Sequence, residues 1–289
     1  MIVSDSLMRQ LMLQIRIPRV LTALLVGSGL AVAGLITQTI FRNPLADGSL
    51  LGISQAAGFG AALGILIFQG NQIYIQIIAF VFGMAALILS VWISEKVRSD
   101  KILPLILAGI SISALFSAGL GLTKYMADPI NQLPSIVYWL LGSLANSTWP
   151  VLVRTSIIII PVLVILWLYR WRLNLYALDE EVGFSFGLKN KHELWAILLA
   201  SVLLTSSIIS ISGLVGWVGL IVPNYARIIS GSDMARSLPI TFLLGAIFMI
   251  ICDNLARASL PGEIPLGILT AFLGSIFFVG LLVKKENFA

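Results

Sequence analysis

The sequence predicts an all-α, polytopic integral membrane protein. Hydrophobic residues make up 58% of the 289 and charged residues 11%, a balance outside the range of water-soluble globular domains. The mean hydropathy is +1.01. The apolar stretches are continuous and rich in Leu, Ile and Ala, whereas the strands of a membrane barrel alternate over about ten residues.

Taken in order, stretches long enough to cross a hydrocarbon core, which needs about 20 residues, run at 20–41, 50–68, 73–93, 102–123, 151–169, 194–212, 238–255 and 264–283. A shorter one lies near 214–229. About nine spans are therefore expected, within one membrane domain over residues 1–289. Lys and Arg set the orientation. With Asn43 inside, the cations at 42, 96, 98, 101, 170, 172, 189, 191, 227, 236, 284 and 285 fall inside, and those at 9, 16, 19, 124, 154 and 257 outside. That distribution follows the positive-inside rule, and it accounts for the net charge of +5 without a nucleic-acid partner. Trp92, Trp149, Trp167, Trp171 and Trp195 sit near span ends as an aromatic belt.

Two connections are longer than the rest. In the outer one, from Lys124 to Pro150, Pro129, Pro134, Gly142 and Pro150 punctuate a short apolar segment, 135–144. It is too short to span and reads as an interfacial or re-entrant helix, which needs protein or a water-filled path around it. The inner one, about 170–193, mixes Asp179, Glu180, Glu181 and Glu193 with Leu178, Val182, Phe184, Phe186 and Leu188. Apolar side chains in a short polar loop need a surface to bury against. A partner's groove meets that need, as does folding back on the adjoining helix ends.

The chemistry-bearing residues exclude several classes. Cys252 is the lone cysteine and His192 the lone histidine, so no disulfide within the chain and no metal-ligand set is expected. No nucleophile–base arrangement or carboxylate cluster is visible, and no catalytic residue is assigned. The middle of each span lacks Asp, Glu, Lys, Arg and His, which argues against an ion-coupled secondary transporter. There is no Gly-x-x-x-x-Gly-Lys-Ser/Thr loop, so the chain is not itself a phosphate-cradling ATPase.

Several motifs recur in register. They are Arg16-Ile17-Pro18-Arg19; Asn43-Pro44-Leu45-Ala46 with Leu51-Gly52; Trp139-Leu140-Leu141-Gly142-Ser143-Leu144; Gly219-Leu220-Ile221-Val222-Pro223-Asn224 with Arg227; and Glu263-Ile264-Pro265-Leu266-Gly267. In this order they resemble the FecCD-type permease subunits of ABC importers, which carry iron-siderophores, haem or cobalamin. Asn224 stands where the family has His. The inner loop is similar to the family's ATPase-coupling region: Leu178, Glu180 and Gly187 match, while Asp179, Gly183 and Phe186 replace Gly, Ala and Leu.

The resemblance implies a type II ABC importer permease fold in the cytoplasmic membrane of a prokaryote. It implies a second permease copy or related chain, a cytoplasmic ATPase dimer and an extracytoplasmic substrate-binding protein as partners. ATP and Mg²⁺ would sit on the ATPase, with no cofactor in this chain. Arg16, Arg19 and Arg257 would form the docking patch for the binding protein. Anchoring to lipid phosphate is the alternative for these arginines, and Asp253, four residues before Arg257 on a helix, is an alternative partner for it. Leu178 to Leu188 would take the push of the ATPases, and Asp100, Lys101 and Pro104 would form part of an inner gate.

The family carries one more span, ahead of the Arg16 block. The fifteen residues before Arg16, with Asp5, Arg9 and Gln14, are too short and polar to span and do not form a signal peptide. The family's first helix is therefore expected to be missing, through a late start codon or a truncated form. Finally, Gly34, Pro44 and Gly52 recur at the offsets of Gly213, Pro223 and Gly231, a spacing that arises by duplication or by coincidence.

Overall fold

A computed structural model describes residues 5–68, 71–97, 103–178, 182, 185, 191–260 and 262–286. Among them all regular structure is helical. A short helix α1 (Asp5–Leu11) continues through a π-helical turn (Met12–Arg16) into α2 (Ile17–Ile40). Then follow α3 (Ile53–Phe68), α4 (Gln72–Lys96), α5 (Leu103–Met126), α6 (Gln132–Leu141) and α7 (Trp149–Leu173). The last four are α8 (Lys191–Ser212), α9 (Val218–Ser230), α10 (Met234–Ala258) and α11 (Leu266–Glu286). Six helices among the described residues are long and apolar enough to cross a membrane.

Each expected apolar stretch contains a helix, but six rather than about nine of the helices among the described residues reach spanning length, because those within 50–68, 214–229 and 264–283 are shorter. The stretch 50–68 does not start as helix: Asp47 caps a 3₁₀ turn (Gly48–Leu51), Gly52 takes φ +76°, and only then does α3 begin. The segment 214–229 becomes α9, 13 residues long and about 20 Å at 1.5 Å per residue, short of a hydrocarbon core of about 30 Å. Residues 8–15, expected to be too short to span, extend α2 outward as one continuous apolar helix, Met8–Ile40.

Helix α2 is the centre of the molecule. It packs against α7, α8, α9 and α10, and 78% of its most apolar window is buried. Small residues permit this. A Cβ at Gly27 would fall 2.1 Å from the carbonyl oxygen of Gly245 in α10, so the two helices touch backbone to backbone as small-residue membrane interfaces do. A second group, α3 with α4 and α5, is pinned by Phe59, Phe82 and Phe116, whose ring centroids lie 5.3 to 5.9 Å apart. Each such pair adds about 0.5–1.5 kcal/mol beyond area burial. Helix α11 is more lightly attached, touching α6, α9 and α10.

The two glycine–proline triplets are not structural equivalents. Gly34 lies inside α2 whereas Gly213 has φ +69°, and Pro44 is in a loop whereas Pro223 is inside α9. Only Gly52 and Gly231 share a left-handed φ, +76° and +79°.

Candidate functional site

The end expected to face outward is organised by a junction of three helix ends. Helix α6 stops at Gly142 (φ +74°), α8 stops before Gly213 (φ +69°), and α11 starts at Leu266. The amide of Ser143 donates to the carbonyl of Ser212 at 2.8 Å, and the amide of Leu266 donates to the carbonyl of Gly142 at 2.9 Å. These bonds satisfy backbone groups that helix ends leave open. The approach leaves no room for side chains: a Cβ on Gly213 would lie 2.2 Å from the Trp139 carbonyl oxygen, and one on Gly267 2.6 Å from that of Leu141. The family-type residues Gly142, Pro265 and Gly267 thus meet at one point.

Beside this junction lies a cavity of about 980 Å³, at the upper end of the range for small-molecule sites, about 300–1,000 Å³. Its lining mixes Trp139, Ile211 and Pro265 with neutral hydrogen-bonding groups, among them Gln72, Gln76, Asn131, Gln132, Ser135 and Asn146. Two carboxylates border it. Asp128 accepts from the amide and side chain of Asn131, both at 2.9 Å, which holds it below its usual range. Glu263 is the other.

Glu263 is the half-exposed member of a charge cluster whose other carboxylate, Asp253, is buried. Arg19 donates from Nη1 and Nη2 to the two oxygens of Glu263, at 2.6 and 2.9 Å. Its Nε donates to Asp253 Oδ1 at 2.9 Å. Arg257 Nε lies 3.2 Å from Asp253 Oδ2. Hydrogen bonding to Arg19 holds the Glu263 carboxyl below its usual range. Arg19, expected in the docking patch, is 6% exposed, with its guanidinium engaged by Asp253 and Glu263. Arg16 is exposed and Arg257 half-buried. Pro18, at the first turn of α2, is buried beside Arg19 and its carbonyl accepts from Thr22 Oγ1 at 2.7 Å.

The end expected to face inward joins the other motifs. Pro223 has no N–H, so the carbonyl four residues earlier, at Gly219, loses its helical partner. Gln38 of α2 supplies the replacement: its Nε2 donates to Gly219 at 3.2 Å and to Leu220 at 3.0 Å. Arg227 Nη1 then donates to Gln38 Oε1 at 2.5 Å. Asn224 Nδ2 donates to the Pro44 carbonyl at 2.9 Å, and Asn43 Oδ1 accepts from the Leu45 amide at 2.9 Å. Leu45 is exposed and Ala46 buried.

Around the coupling loop, Leu178 and Val182 are 36% and 43% exposed. Asp179, Glu180, Glu181, Gly183, Phe184, Phe186, Gly187 and Leu188 lie outside the described residues, as do Asp100 and Lys101 of the expected inner gate. Pro104 is in the first turn of α5 and half-buried. An ion pair between Arg172 of α7 and Glu193 of α8 joins the two helices that flank the expected coupling loop.

A sequence profile of the FecCD transport family matches residues 1–284. The chain belongs to the FecCD family. Among FecCD relatives, the molybdate import permease MolB of Haemophilus influenzae is 40% identical over 282 residues, covering 97% of this chain and 83% of that protein. A Helicobacter pylori permease named for iron chelatin transport is 38% identical over 282 residues, covering 96% and 83%. A solved ABC transporter classed as metal-chelate type, in an inward-facing conformation, superposes with a TM-score of 0.93 at 39% identity, covering 98% of this chain and 90% of that one. This FecCD protein is therefore an ABC importer permease, a multi-pass transport component of a family of non-enzymatic subunits.

Two partners escaped the sequence reading of this FecCD chain. Asp253 was visible as a neighbour of Arg257, but its contact with Arg19 spans 234 positions and has no local signal. Gln38 carries one: a long amide inside an otherwise apolar span, near a second helix interrupted by proline.

Proposed function

We propose that this permease imports a metal chelate, a ferric siderophore or haem, across the cytoplasmic membrane of a prokaryote. It pairs with a second copy or a related permease and is fed by an external binding protein. A cytoplasmic ATPase dimer binding ATP and Mg²⁺ drives it, and this chain holds no cofactor. The observation that carries the reading is the outer cavity of about 980 Å³, bordered by a short helix and by the start of a lightly attached one, α11. Helices that can shift relative to a fixed core are what alternating access needs.

In this reading closure of the ATPases pushes on residues 178–188. Helices α5, α6 and α11 change tilt, and Asp100, Lys101 and Pro104 form part of the inner constriction. A second cargo has its own support: amide and hydroxyl groups of the lining can donate to an oxyanion, although Asp128 and Glu263 also border it, and the Haemophilus relative is named for molybdate import.

The test is uptake into liposomes holding this chain, its ATPase and its binding protein, with ATP inside. Ferric siderophore, haem, cobalamin and molybdate are offered in turn. ATP-dependent uptake of a ferric chelate or haem is expected, and uptake of molybdate alone replaces the iron reading with the oxyanion one. Uptake of cobalamin alone assigns that cargo instead. Uptake driven by an ion gradient without the ATPase overturns both. Reversing Glu180 and Glu181 is expected to abolish ATP-dependent uptake while binding of cargo to the external protein is intact.

A further inference from the structure

Arg19 holds two carboxylates that do different work. Asp253, with a side chain 2% exposed, ties α2 to α10. Glu263, with a side chain 42% exposed, ties α2 to the loop that opens α11. Among its described residues that loop has few other holds: Ile264 donates its amide to the Ala256 carbonyl at 3.0 Å, and Leu266 donates to Gly142. Farther along, α11 is steadied by Tyr225, whose hydroxyl donates to the Phe277 carbonyl at 2.9 Å. Glu263 also lines the cavity, so the residue that fixes the loop is itself part of the cavity wall.

We propose that Glu263 is the positioning residue of the cavity's outer mouth: held by Arg19, it keeps residues 262–265 and the start of α11 seated on α6. Breaking that contact widens the cavity without parting α2 from α10. The division follows from exposure. A half-exposed carboxylate exchanges a guanidinium for water at small cost, whereas removing a partner from the buried Arg19–Asp253 pair strands a buried charge. The inference rests on the reading of this cavity as part of the cargo path, but its test uses neither cargo nor ATP.

Ser210 is 7% exposed and lines the cavity. In the full chain with Cys252→Ser, which removes the sole cysteine, Ser210→Cys becomes a reporter for a membrane-impermeant maleimide. Glu263→Ala is expected to raise its labelling rate roughly tenfold, the change that about 1.4 kcal/mol gives. Glu263→Gln, which keeps an acceptor but loses the charge, falls between, and Glu263→Asp stays near the parent. The melting temperature of all three stays close to the parent, while Arg19→Ala lowers it. A parental labelling rate in folded Glu263→Ala overturns the proposal. So does a fall in melting temperature matching that of Arg19→Ala, because Glu263 is then a general brace. Either outcome leaves the importer reading standing, and a failure of ATP-dependent uptake leaves the labelling result intact.

Discussion

Gly34 of α2 lies against Gly219 of α9 with no side chain between them; a Cβ on Gly34 would sit 2.0 Å from the Gly219 carbonyl oxygen. The obstacle is backbone, which cannot rotate away. Gly34→Ala is therefore expected to push α9 off α2 and to destabilise by about 1–3 kcal/mol, as overpacked cores do. A lower melting temperature of the purified protein in detergent checks this. Gly121, whose Cβ would meet nothing within 4 Å, serves as the control: Gly121→Ala is expected to leave melting unchanged.

The junction at Gly142 is expected to be equally intolerant for a different reason. Gly142 has φ +74° and ψ 134°, a region that L side chains avoid at a cost of about 1–3 kcal/mol. A Cβ there would also lie 2.7 Å from the Leu214 carbonyl oxygen. Gly142→Ala is expected to reduce uptake severely while leaving the ATPase attached, which co-purification and transport assays separate.

The Arg172–Glu193 pair is half-exposed on the arginine side, and such pairs contribute about 0.2–1 kcal/mol. Arg172→Ala is thus expected to alter melting little. If the connection it flanks is the proposed coupling loop, a functional effect is expected instead: uptake falls while ATP hydrolysis by the complex continues. Equal loss of both would count against the coupling role of this loop.

Asp233 caps α10 by accepting from the Ala235 amide at 2.9 Å and from Asn174 Nδ2 at 2.8 Å. The Asn174 hydrogen bond, then the amide, holds its carboxyl below the usual range. A carboxylate with a depressed folded pKa adds stability that is complete above its unfolded value, about 3.9, and is lost as pH falls through the folded one. Asp233→Asn keeps a good N-cap but cannot titrate. The melting gap between parent and variant is expected to be widest near neutrality and to close as pH falls below about 4.

Much of this was legible in the residues. Hydropathy placed the apolar helices, Gly142 marked the end of α6, and the charge rule grouped residues that the contacts also group: Arg19 with the loop after α10, and Arg172 and Arg227 at the opposite end. What was not legible depends on distant pairing. Arg19 was expected to face a binding protein; its burial follows from two carboxylates 234 and 244 positions away, which carry no local signal. Asn43 and Asn224 were visible as motif residues, but not that the amide of one segment would meet the turn of the other.

The enclosure of α2 also fixes an order of assembly. The ribosome makes α2 before α7, α8, α9 and α10, the helices that cover it. Until α10 enters the bilayer, Gly27 and Arg19 face lipid without the Gly245 and Asp253 they are shaped to meet. The core of this protein is thus synthesised early and closed late. Chains arrested before Met234 are left with an arginine and a glycine seam that lack the α10 partners they pack against.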